Sequence, residues 1–118
     1  MVNKSPAAQA KQIEQEVSSV LRKFDLTHQS ASVRMNLLEL KQDLEHARTY
    51  ANTYELSETP EEQAGNTKRA KQWLTKANAR ILKASEYNIF GPVDVASLSA
   101  QIHQLIAELN NSTIDYQS

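Results

Sequence analysis

Apolar residues recur along this chain at alternating steps of three and four, the spacing that lines one face of an α-helix. Four such stripes follow one another. The first holds Ala10, Ile13, Val17, Val20, Leu21 and Phe24, behind a start at Ser5-Pro6, where a capping hydroxyl precedes a proline that needs no N–H partner. The second is Val33, Leu37, Leu40, Leu44, Ala47, Ala51 and Tyr54, in strict four-three alternation. Its narrowing from Leu to Ala leaves room for a close neighbour or for Tyr50 and Tyr54. The third is Ala70, Leu74, Ala77, Ile81 and Ala84, and the fourth is Val95, Leu98, Ile102, Leu105 and Leu109, with Ile106 beside it.

Polar segments separate the stripes. Asp25 to Ser32 offers Thr27, Ser30 and Ser32 as caps for the second helix. Thr59-Pro60-Glu61-Glu62 reads as a helix start, with Thr59 accepting from the first turn and Glu62 reaching back in a capping box. Asn88-Ile89-Phe90-Gly91-Pro92 ends the third helix, and its two apolar residues are placed to plug the end of a bundle. With only two glycines and three prolines, each proline at a helix start, the chain lacks the turn residues of a β-protein. The expected fold is therefore all-α, an antiparallel up-down four-helix bundle crossing at about +20°. Residues 1–110 are expected to form a single helical-bundle domain, and 111–118 a flexible polar tail. The middle two helices read as longer than the outer two, and near-heptad spacing is also the pattern of coiled-coil contacts, so a homodimer is a further expectation.

Composition narrows the classes. A chain of 118 residues with 40 % hydrophobic and 23 % charged residues is globular in balance, and can bury a single core unaided. The absence of cysteine rules out disulfides and thiolate metal sites. A net charge of -1 gives the whole molecule no pull toward nucleic acid or anionic membrane, so either role would need a local patch. The opening residues lack the apolar core of a secretory signal, and no run approaches the ~18 apolar residues of a membrane span. A cytoplasmic location is expected.

Reactive constellations are sparse. The histidines are His28, His46 and His103, and a bundle di-metal site needs two Glu-x-x-His pairs with two further carboxylates. Asp43-x-x-His46 is the only approximation, and both residues fall just off the apolar line, which reads as a surface pair. No Gly-flanked serine and no Gly-rich phosphate loop occurs. The scattered carboxylates need only be solvated faces. These patterns point to a non-enzymatic protein with no cofactor and no metal.

One feature stands apart. Between Gln63 and Ser85 lie six basic residues and no acid. Of these, Arg69, Lys76, Arg80 and Lys83 share a four-three stripe with Trp73, the only tryptophan, directly beside the core line. Trp and Arg often dominate interface energies, so these five residues are the candidate partner-binding site. Such a stripe suits an acidic protein surface first, a phosphate backbone or an anionic membrane surface second. The competing reading is intramolecular: Glu39, Asp43 and Glu45 on the second helix are available to neutralise it, at about 0–1 kcal/mol per exposed pair.

In outline the chain resembles the small immunity proteins of bacteriocin producers, which are antiparallel four-helix bundles with a polar C-terminal tail. The likeness lies in architecture alone and assigns no residue a role. It implies a cytosolic protein with a regulatory, accessory or immunity-type function exercised by binding another protein.

Overall fold

The structure, a computed structural model, describes residues 5–117, with side chains described over 5–110. Four α-helices account for nearly all of it: α1 (Pro6–Leu21), α2 (Ala31–Glu55), α3 (Pro60–Ser85) and α4 (Pro92–Gln117). A short 3-10 turn, Leu26–His28, sits in the α1–α2 connection, and no strand occurs among the described residues.

Each start is set by the residue at its cap. Ser5 accepts from the Ala8 N–H, Ser30 from the Val33 N–H and Thr59 from the Glu62 N–H, each satisfying one of the orphan donors of a first turn. Of the three candidate caps before α2, Ser30 takes the position. Glu62 does reach back, but to the Glu58 N–H rather than to that of Thr59, at 3.1 Å. Its carboxylate and that of Glu61 also meet the positive end of α3. In the first connection Asp25 caps the 3-10 turn. The Thr27 hydroxyl and then the Thr27 N–H hold its carboxyl below the ordinary carboxylate range. The end of α3 is closed by Asn88 at φ 61, in the left-handed region that asparagine tolerates. The Asn88 N–H returns to Ser85 O and the Ile89 N–H to Ala84 O, the paired bonds of a Schellman motif.

The stripes become the core. All seven residues of the second stripe and all five of the third are buried, as are Leu98, Ile102, Leu105 and Leu109 of the fourth. Ile89 and Phe90 are buried too, closing the bundle end as expected. A buried leucine or isoleucine contributes about 1.5–3 kcal/mol over an exposed one, and dozens of close contacts reinforce it. Each helix packs on two others: α1 on α2 and α4, and α3 on α2 and α4.

Several expectations are corrected. Phe24 is not in the core; α1 stops at Leu21, so the helical phase that would have buried Phe24 is lost and it is exposed. Val20 and Val95 pack only at the core edge. The outer helices are not both short: α4 has 26 residues against 25 in α2 and 26 in α3, and α1 alone is shorter, at 16. The backbone of α4 continues past Asn110 to Gln117, while the side chains of the expected tail, 111–118, lie outside the described residues. Asp43 is no surface residue: it is 4 % exposed, drawn inward by a cation on α3.

Candidate partner-binding surface

Four of the five stripe residues, Arg69, Trp73, Lys76 and Arg80, lie along the flank of α3 beside α2, and α2 answers three of them. Arg80 is the most engaged. Its Nε donates to Asp43 Oδ2 at 2.5 Å and its Nη1 pairs with Glu39 Oε2, while the Arg80 carbonyl accepts from Asn36 Nδ2 at 3.3 Å. Burying Asp43 costs free energy unless its charge is met, and the guanidinium meets it at the edge of the core. Arg80 itself keeps 29 % side-chain exposure.

Two turns earlier on α3 the seam becomes aromatic. The Trp73 indole stacks on the His46 imidazole, with centroids 4.3 Å apart and planes at 16°. His46 is held for this by its Nδ1, 2.7 Å from the Gln42 carbonyl, which accepts its proton. Lys76 Nζ lies 4.5 Å from the centroid of the same indole, within cation–π range. One turn further, Arg69 lies over Tyr50, 5.8 Å from its centroid. Trp73 and Tyr50 are half-buried against the core, whereas Arg69, Lys76 and neighbouring Lys68 are exposed. None of those three cations meets a carboxylate among the described residues.

Lys83 stands apart from this group. It faces Glu86 at 3.3 Å and approaches Tyr87 at 6.0 Å, both exposed, so it belongs to the end of α3 rather than to the α2 seam. Lys71, off the stripe, donates to Asn110 Oδ1 of α4 at 2.5 Å.

The basic stripe is therefore the α3 half of a two-helix surface. The missing half, His46 and Tyr50, sits on α2 at positions four apart, on the flank between Glu39/Asp43 and the α2–α3 corner. Their phase beside Ala47 and Ala51 was a usable signal, since small core residues let a facing indole come close. At the corner, Asn66 is buried and donates to Ser57 Oγ at 3.0 Å, a polar clamp that no hydrophobic pattern announces.

The surface is shallow, with cations and aromatic faces but no nucleophile–base pair. Among the described residues no three His, Cys, Asp or Glu side chains converge as a metal would require. No described helix is long and apolar enough to cross a membrane. What the arrangement offers chemically is attraction for carboxylates or phosphates, set against flat aromatic rings. No family model matches the chain, and neither a curated protein nor a solved structure matches it.

Proposed function

We propose that this chain is a non-enzymatic helical-bundle protein that acts by binding another protein, in a regulatory, accessory or immunity-type role. The observation that carries the reading is the ladder on the α2–α3 flank: Arg69 over Tyr50, and Lys76 over the Trp73 indole on which His46 stacks, with both cations exposed and unmet by carboxylates among the described residues. Trp, Tyr and Arg are the residue types enriched where interface energy concentrates, and rings held by stacking lose little freedom on binding. The partner surface that fits is acidic. Arg80 is excluded from the contact set, because its charge is already met by Glu39 at Nη1 and Asp43 at Nε.

We infer an antiparallel up-down arrangement for the bundle. Partners across three of the four seams support it, since their numbers run in opposite senses: Asp43 with Arg80 but Tyr50 with Arg69, Ala7 with Glu55 but Glu14 with Arg48, Gln9 with Glu108 but Glu16 with Gln101.

The test is a triple variant, Arg69→Gln, Trp73→Gln and Lys76→Gln, with Arg80 kept so that the fold survives. A protein captured by the wild type from native lysate should be lost by this variant, and binding of the purified partner should weaken as salt rises. A folded triple variant that keeps its partner overturns the proposal. Salt-sensitive binding of DNA, RNA or anionic vesicles by the wild type, with no protein partner, would favour a polyanion-binding role for the same flank.

A further inference from the structure

The opposite flank of α2 carries a second surface. There α1 ends at Leu21, and a groove of about 470 Å³ opens between its last turns and the first turns of α2. The buried Leu21 and Leu37, half-buried Leu26 and 50 % exposed Leu38 give it an apolar floor and lip. Arg22, Arg34 and Lys41 rim it, and none of the three meets a carboxylate among the described residues.

The complementary shape and charge occur at the far end of the same helix. Leu56, the C-terminal cap residue of α2, is 78 % exposed, second only to Val93 among the large apolar side chains of the described residues. Glu55, Glu58, Glu61 and Glu62 surround it in sequence, and the carboxylates of Glu58 and Glu61 take no hydrogen bond or ion pair among the described residues. This acidic corner cannot reach the groove of its own chain: Leu38 and Leu56 are eighteen residues apart on a continuous helix, about 27 Å at 1.5 Å per residue. Eighteen residues are also five full turns at 3.6 per turn, so the two leucines lie on one line along α2.

We propose that two copies of this chain form a reciprocal dimer through α2, each placing Leu56 in the other's groove. A two-fold axis at the level of Ala47 brings Leu38 of one copy opposite Leu56 of the other, twice. The same axis sets Arg34 near the second copy's Glu58 and Glu61. Between the two contacts it opposes Gln42 with Asn52 and Glu45 with Thr49, so no charged residue on this line lies level with a like charge. Both sites close on each other, and the assembly stops at two copies rather than extending into a filament. The α2–α3 ladder lies on the other flank and stays free, so this inference stands independently of the partner proposed for it.

The test uses the full chain and its mass in solution. Sedimentation velocity at rising concentration and low salt should carry the weight-average mass from 13.3 kDa toward twice that value and no further. Added salt should lower the association constant, because rim ion pairs are screened. A groove variant (Arg34→Gln, Leu38→Gln) and a corner variant (Leu56→Gln, Glu58→Gln) should each stay monomeric with unchanged helicity. Mixed together they should associate again, since one of the two contacts is then intact. A wild type that is monomeric throughout overturns the proposal, even if the groove takes up an acidic peptide of another protein. So do growth beyond two copies, variants that dimerise as the wild type does, or a mixture that stays monomeric.

Discussion

The two flanks of α2 carry similar numbers of charged residues and meet different fates. Toward α3, Glu39 and Asp43 converge on Arg80, His46 stacks on Trp73, and Asn36 holds the Arg80 carbonyl. Toward α1, Arg34 and Lys41 meet no carboxylate among the described residues, while Arg48, two turns on, meets Glu14 at 3.2 Å. The difference follows helix length. α3 accompanies α2 along its whole course, whereas α1 has 16 residues against 25 and leaves the first turns of α2 beside an irregular connection. The charges of α2 are met where a helix runs alongside them and, among the described residues, stay unmet where that helix stops.

The largest expected effect erases the comparison by removing the core beneath both flanks. Leu44 is buried at the centre of α2, and Leu44→Ala should cost about 2–5 kcal/mol of unfolding free energy in urea titration. A loss below about 0.5 kcal/mol is what a surface site gives and would dissolve the stripe as the basis of the fold. Next in size is the closed flank. Arg80→Gln leaves Asp43 buried without its cation and should cost about 2–3 kcal/mol, under the ~3–5 kcal/mol of a fully buried pair because Arg80 is partly hydrated. Adding Asp43→Asn should recover part of that loss. If the double variant is no more stable than the single one, the pair is not what couples α2 to α3 here.

A smaller effect probes the stack. Trp73→Leu keeps apolar volume but removes the ring over which His46 and Lys76 lie, and should cost about 1 kcal/mol. His46→Ala should cost less in the Trp73→Leu background than in the wild type. Equal losses in both backgrounds would show that the rings do not interact.

How much of this was legible before the structure depended on whether a feature was local. The second and third stripes, the Ser5 and Thr59 caps and the Ile89-Phe90 plug are read from neighbours in sequence, and each took its expected place. Phe24 misled because periodicity says where a stripe could continue, whereas the end of α1 is decided by the turn that Asp25 and Thr27 prefer. Asp43 misled for a different reason. A carboxylate just off the apolar line looks solvated on a helical wheel, and only the facing helix supplies the guanidinium that makes its burial tolerable. The stripe on α3 was visible; that its members divide among an ion pair, a stack and the helix end was not, because each division is made by a residue nineteen or more positions away, or by the end of α3 itself.

The smallest expected effect sits on the open flank, and its sign depends on concentration. Leu38 is half exposed and Arg34 meets no carboxylate among the described residues, so Arg34→Gln with Leu38→Gln should change the stability of a dilute sample by no more than about 0.5 kcal/mol. Association with a second copy stabilises the folded chain by mass action, and that contribution grows with the logarithm of concentration. The wild-type melting temperature should therefore rise as concentration rises, while that of the variant stays fixed. Arg80→Gln, by contrast, should lower the melting temperature by a similar amount at every concentration, because its partners lie within the same chain. A variant of the open flank that loses stability equally at all concentrations would mean that Arg34 and Leu38 are consumed internally after all, and the two flanks of α2 would no longer differ.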